Sequence, residues 1–156
     1  MSLTVVMPCL NEGPESRNTL QSIRDTASGK VKIIMVDDAS EDGYDYAKAA
    51  SDFDAKYVRN SSRLGSGPSK HMGAMMADTD NVFIIDGHMR FRNDNWDIRV
   101  QEEIARDPNA AYCTICCGLN RQHQDVHHPL GRYYAADMRF LTGESGSLGG
   151  QILEPK

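Results

Sequence analysis

The chain predicts an α/β fold: a mainly parallel, doubly wound sheet with helices on both faces, followed by an extended C-terminal hairpin. Three observations carry this expectation. Short apolar, β-branched runs alternate with segments of helical spacing over residues 1–117. The strand-like runs end in turn formers and polar residues. One run, Val82-Phe83-Ile84-Ile85, is continuously apolar, as expected of a central strand covered on both faces.

Thr4-Val5-Val6-Met7-Pro8 predicts the first strand, closed by its proline. Asn11, Glu12 and Gly13 form a turn, and Pro14 suits the first turn of a helix. Leu20, Ile23 and Ala27 keep helical spacing, with Gly29 as the expected cap. Val31 to Val36 is the second strand. A loop dense in carboxylates follows, then a short helix through Tyr46, Ala49 and Ala50. Ala55 to Arg59 is the third strand. After a Gly/Ser loop, Pro68 opens a helix whose Met72, Met75 and Met76 are expected to face the core. The fourth strand runs into Asp86-Gly87-His88. A helix from about Asn95 to Asp107 carries Trp96, Val100 and Ile104 on one side, with Trp96 as a packing anchor, and Pro108 stops it. Ala110 to Cys117 is the expected fifth strand. Residues 118–131 are polar and His-rich, and Arg132 to Phe140 and Gln151 to Glu154 form the expected hairpin arms.

The 156 residues suit one domain, with 40% hydrophobic and 25% charged residues as in ordinary globular proteins. Disorder and low-complexity classes are excluded. No apolar run reaches the ~18 residues of a membrane span. The N-terminus leads straight into a strand, so no secretory signal is expected. Seventeen Lys and Arg against 22 Asp and Glu give a net charge of −5, a poor match for nucleic acid. An anionic ligand would need a metal or a helix N-terminus. Cys9, Cys113, Cys116 and Cys117 make no disulfide framework, and reduced thiols point to a cytoplasmic location. A zinc site from Cys113, Cys116, His123 and His127 or His128 is disfavoured, because strand residues three apart face opposite sides. From the same loop, His127 or His128 could still approach an active-site metal.

In an open α/β sheet, ligands bind beyond the carboxyl ends of the strands. Four polar sets fall there: Asn11 and Glu12, Asp37 and Asp38, the loop Arg63 to Lys70, and Asp86 with His88. Asp86 and His88 offer a carboxylate oxygen and an imidazole nitrogen, both suited to Mn²⁺. Asp37 and Asp38 can bind a ligand, cap a helix or brace the loop. The loop Arg63-Leu64-Gly65-Ser66-Gly67-Pro68-Ser69-Lys70 is neither a dinucleotide fingerprint nor a P-loop, since Lys70 stands where the first needs glycine and Ser69 where the second does. It still feeds a helix N-terminus with Arg63 and Lys70 close by, a candidate diphosphate contact.

Together these segments resemble a family-2 glycosyltransferase of the GT-A nucleotide-sugar-binding fold. "VVMPCLNE" (Val5 to Glu12) resembles the family's first strand and nucleoside-binding turn. "IIMVDDASEDG" (Ile33 to Gly43) resembles the second strand, whose Asp38 the resemblance places on uracil. "RLGSGPSKHMGA" (Arg63 to Ala74) is similar to the G-x-x-x-A-R-N-x-G stretch at Gly65 and Gly73. Ser69, Lys70 and His71 replace its Ala, Arg and Asn. "VFIIDGHMRF" occupies the place of the metal-binding D-x-D motif. Its D-x-H form is similar to that of polypeptide N-acetylgalactosaminyltransferases.

The resemblance implies a UDP-sugar donor, a hexose or N-acetylhexosamine, bound with Mn²⁺ or Mg²⁺ at Asp86 and His88. It implies donor contacts from Pro8, Asn11, Glu12, Asp38, Arg63, Gly65, Lys70 and Asp86. The acceptor class (glycan, lipid or protein) is left open. Residues 1–117 would form the nucleotide-sugar-binding part and 118–156 a shortened remainder of the same domain. Members of the family continue into a Gly-Gly acceptor segment and an acidic base. Gly149-Gly150 is followed by only six residues, and neither Glu144 nor Glu154 sits in a matching motif. The chain therefore reads as the donor-binding portion of an enzyme. The alternative is a non-catalytic nucleotide-sugar-binding module. A nucleotidyltransferase is disfavoured, because Pro-Cys-Leu-Asn-Glu follows strand one where a Gly-rich basic loop belongs. Core left uncovered by a missing half would favour self-association.

Overall fold

The computed structural model describes residues 2–108 and 111–112, and the backbone at 118–119 and 125–126. A first compact unit runs from Met1 to Arg106. Its sheet is built around β1 (Leu3–Cys9), a seven-residue strand buried along its whole length. β2 (Val31–Asp37) and β4 (Asn81–Ile84) pair with β1 on either side, and β3 (Lys56–Arg59) pairs with β2. All pairings are parallel, in the order β3-β2-β1-β4.

Alternating side chains divide the sheet between two helical layers. Leu3, Val5 and Met7 of β1 and Val31, Ile33 and Met35 of β2 join Leu20 and Ile23 of α1 (Pro14–Thr26) in the main core. Tyr46 and Ala50 of α2 (Tyr46–Asp52) pack there as well. Each buried Val, Leu, Ile or Met side chain contributes about 1.5–3 kcal/mol on leaving water. On the opposite face α3 (Ser66–Met75) lies against β1 and β2. It presents Ser69 and Gly73 to the sheet, and a methyl group at Gly73 would come within 2.4 Å of Val6 Cγ1. Helices on both faces of a parallel sheet are thus as expected.

Several expectations need correction. Of the three methionines expected to face the core, Met75 is 73% exposed and Met76 37%, while Met72 is half-buried. Small residues let the helix sit close to the sheet, which rotates the larger ones outward. Nor is β4 central among the described residues. It has β1 on one side, its burial alternates, and Val82 and Ile84 are partly exposed. Gly29 does not cap α1, which ends at Thr26 with Ala27 as its extended C-cap. Instead the backbone N–H groups of Ser28 and Gly29 donate to the buried Asp97 carboxylate of α4 (Trp96–Arg106). A side chain at Gly29 would obstruct that approach, since its Cβ would lie 2.8 Å from Asp97 Oδ2. The cap of α2 is Asp45, which accepts from the Lys48 N–H at 2.8 Å, rather than Asp37 or Asp38. Trp96 is a packing anchor as expected, with Phe91 at 4.3 Å and Phe83 at 5.8 Å between ring centroids.

A second compact unit covers Asp107–Lys156. Within it, β5 (Gly118–Leu119) and β6 (Asp125–Val126) form a short antiparallel pair in the segment expected to be a polar loop. Most of the expected fifth strand, the Cys/His cluster, Glu144, Glu154 and the C-terminal hairpin lie outside the described residues.

Candidate nucleotide-sugar site

The chain passes from β1 to β2 to β3 in one direction, then returns to place β4 on the other side of β1. That reversal opens a crevice at the carboxyl ends of β1 and β4. A cleft of about 320 Å³ lies there, at the lower end of the range for small-molecule sites. The β1 end supplies Pro8, Cys9, Leu10 and Glu12. Asp38 comes from β2, Arg63, Gly65, Ser66 and Ser69 from the α3 entrance, and Asp86, Gly87 and His88 from β4.

The backbone at Gly87 packs tightly against the end of β1. A Cβ there would lie 3.1 Å from Glu12 Cγ and 3.2 Å from both Cys9 Cβ and the Pro8 carbonyl oxygen. The turn can therefore press against the end of β1, with Asp86 and His88 on either side. Its position is also held from α1. The buried Thr19 hydroxyl lies 2.8 Å from the Gly87 carbonyl oxygen, 3.0 Å from that of Met89 and 3.1 Å from that of Glu15. Nearby, Arg90 pairs with Glu15.

Asp37 and Asp38 both brace the site from beneath. Asp37 is fully buried and receives the Ser40 N–H, the Tyr57 hydroxyl and the Arg59 guanidinium. Burial works against its ionisation, but these hydrogen bonds outweigh burial and hold its carboxyl below the usual range. The same contact, after burial, pushes the Tyr57 hydroxyl up to about 12. Asp38 is 3% exposed and accepts from Asn60 Nδ2 at 2.7 Å, and from the N–H groups of Leu64 and Gly65 at 2.8 Å each. It too is held below the ordinary carboxylate range, with burial opposing and these donors prevailing. Asp38 therefore fixes the loop that leads into α3 while lining the cleft.

The other expected site residues divide by location. Pro8, Glu12, Arg63, Gly65, Asp86 and His88 line the cleft. Lys70 pairs with Asp86 at 2.9 Å. Glu12 meets His88 Nδ1 at 3.0 Å. Asn11 is a brace: its side-chain oxygen accepts from the Glu41 N–H, while its own N–H donates to Ser40. Ser69 also lines the cleft, and Asn60 supports it and Asp38 from behind; neither is among the site residues expected from the sequence. Both are buried, and Asn60 Nδ2 donates to Ser69 Oγ at 3.1 Å. The signal for Asn60 was available, since it follows β3 directly at the same edge. Ser69 could have been found from the close approach of α3, one turn after Gly65.

A parallel sheet with a polar cleft at its topological switch is the ligand-binding arrangement of open α/β folds. The family profile described as "Glycosyl transferase family 2" matches residues 4–148. The chain belongs to that family. A search of curated proteins finds no match. Among solved structures, TarS residues 1–349 from S. aureus aligns with a TM-score of 0.60 at 17% identity, covering 68% of this chain and 33% of that one. Similar alignments are found to the same protein in complex with UDP (0.60) and with UDP-GlcNAc (0.58), each at 17% identity over 68% of this chain and 32% of that one. The mannosyltransferase PcManGT from Pyrobaculum calidifontis, in complex with GDP-Man and Mn²⁺, aligns at 0.51 with 23% identity, over 56% of this chain and 28% of that one. The chain thus spans about a third of the length of these structures, and the likeness establishes the GT-A-like fold. Among the described residues, no helix is long and apolar enough to cross a membrane.

Proposed function

We propose that this chain is the donor-binding portion of a glycosyltransferase that uses a UDP-sugar and a divalent cation, Mn²⁺ or Mg²⁺. The observation that carries the reading is the convergence of Glu12, Asp38, Arg63, Gly65, Asp86 and His88 on one cleft at the switch point. The UDP and UDP-GlcNAc complexes of TarS support the donor class, a hexose or N-acetylhexosamine. The D-x-H form of the motif agrees with it. The Mn²⁺ complex of PcManGT supports the metal.

The donor chemistry fits such an ion. Asp86 offers oxygen and His88 nitrogen from the two sides of Gly87. The described residues hold no group of three or more His, Cys, Asp or Glu that could enclose an ion by themselves. Two protein ligands leave the other positions for diphosphate oxygens and water. When bound, the cation would neutralise charge on the UDP leaving group. Arg63 and Lys70 would offset the remaining phosphate charge. The N-terminus of α3, reaching the cleft at Gly65, Ser66 and Ser69, favours an anion. Asp38 and Asn11 would hold the loops around the nucleoside in place.

The acceptor remains unassigned among glycan, lipid and protein. A buried Cys9 thiol agrees with the reducing, cytoplasmic setting proposed from the cysteine pattern. Exposed Met75, Val82 and Ile84 supply the apolar surface for the proposed self-association, which light scattering against concentration would test.

Calorimetric titration with UDP, with and without Mn²⁺ and with GDP as control, tests the function. UDP binding that needs Mn²⁺ and is lost in Asp86→Ala is expected. Metal-independent binding would remove the cation from the proposal, and preference for GDP would replace the donor. If UDP binds but the chain never transfers sugar to any acceptor, the non-catalytic module gains.

A further inference from the structure

Glu12 and His88 lie 76 residues apart and meet because β1 and β4 are neighbours. His88 Nδ1 is 3.0 Å from both Oε1 and Oε2 of Glu12. Among the described residues, Glu12 is the polar partner of His88. The acid is the better anchored of the two, at 23% side-chain exposure against 59%, with its stem against Gly87. An ionised carboxylate has only acceptors, so Nδ1 must donate. A neutral imidazole that donates from Nδ1 keeps its lone pair on Nε2.

We infer that Glu12 is a positioning residue. It fixes the His88 ring in the Nδ1–H tautomer and leaves Nε2 as the nitrogen that meets the divalent cation. The inference rests on the metal reading above and gives Glu12 a different task from contact with the nucleoside. It also accounts for histidine at position 88. A carboxylate there would face Glu12 with like charge, whereas imidazole turns the contact into a hydrogen bond. Partners of this kind orient metal-binding histidines and raise their basicity as ligands.

The 156-residue chain can be tested directly. Long-range ¹H–¹⁵N spectra of the metal-free protein read the ring tautomer, with His88 assigned by its loss in His88→Gln. Mn²⁺ affinity in the presence of UDP is read by electron paramagnetic resonance of the free ion. The wild-type ring is expected to carry its proton on Nδ1. Glu12→Gln is expected to shift the tautomer balance and weaken Mn²⁺ about 10–100-fold.

A wild-type ring protonated on Nε2 overturns the inference without any variant, so a folding defect cannot shield it. Unchanged Mn²⁺ affinity in Glu12→Gln overturns it too. Weakened Mn²⁺ with an unchanged tautomer also does so, and makes Glu12 a ligand itself. A wild-type chain that binds UDP but no Mn²⁺ fails the metal reading itself, and is distinguished because the tautomer stays as inferred.

Discussion

Replacing Gly73 with alanine adds one methyl group where α3 lies closest to the sheet. The new carbon would sit 2.4 Å from Val6 Cγ1, 3.1 Å from Val36 Cγ2 and 3.5 Å from Val6 Cβ. Carbon atoms prefer separations of about 3.5–4.0 Å, so the first contact is more than about 1 Å too short. Val6 is fully buried on β1 and its branched side chain has few rotamers to retreat into. The helix must lift or the strand must bend. Overpacking of this kind costs about 1–3 kcal/mol. Alanine returns at most about 1 kcal/mol through helix propensity. The net expectation is a loss of about 1–2 kcal/mol, read as a lower urea midpoint at constant m and a Tm roughly 3–8 °C lower. Lifting α3 also moves Lys70 and Ser69, so UDP affinity should fall in parallel. The decisive assay is a double-mutant cycle. In a Val6→Ala background the shortest contact is gone and only the milder one with Val36 is left, so Gly73→Ala should lose most of its penalty, a coupling of about 1–3 kcal/mol. A Gly73→Ala protein as stable as wild type, or one with the same loss in both backgrounds, would refute the packing argument.

Asp37 and Asp38 have folded pKa values below their unfolded ones, so each contributes stability that is complete above about pH 4 and disappears as pH falls through the folded value. The urea midpoint should stay level from pH 7 to 5 and drop below 4. Asp38→Asn should lose about 1–3 kcal/mol at pH 7, with the gap to wild type closing in acid. Burial, and after it the nearby Asp37, Glu12 and Asp42, push the Cys9 thiol well above its ordinary pKa. Peptide mapping after iodoacetamide at pH 8 should find Cys9 unmodified in the native chain and modified in urea. Trp96, the single tryptophan, should show blue-shifted emission that moves red on unfolding, and Trp96→Ala should cost about 3–5 kcal/mol. Trp96→Phe should cost far less, because the buried indole N–H has no hydrogen-bond partner among the described residues.

The succession of strands along the chain could be read best where β1 and β2 carry β-branched runs that end in residues unable to continue them. Val5-Val6 and Ile33-Ile34 leave little alternative. The placement of Glu12, Asp38, Arg63 and Asp86 on one edge followed from the rule that parallel strands share a carboxyl end. What could not be read depends on contacts between distant segments. Val82-Phe83-Ile84-Ile85 looks doubly buried, yet exposure depends on which strand lies beyond β4, and no local pattern states that. Met75 and Met76 turn outward for a similar reason. Their spacing is helical, but the choice of buried face was made by Gly73 and Ser69, whose small size permits close approach. The residues alone leave Asp38 open between ligand contact, helix cap and loop brace, and the resemblance places it on uracil. Its partners Asn60, Leu64 and Gly65 lie 22 to 27 residues away and became visible only in the folded chain. The meeting of Glu12 and His88 was hidden in the same way.

Thr19 offers one proton to three carbonyl oxygens, those of Glu15, Gly87 and Met89. A hydroxyl can serve one of them at a time. Its Oγ–H bond acts as a rotor with three stops, two of them on the turn that carries His88. Small displacements of that turn can exchange one acceptor for another without leaving the hydroxyl unbonded. The turn is tethered but has slack along its own backbone. A valine at position 19, with the same shape and no proton, would remove the tether while keeping the packing.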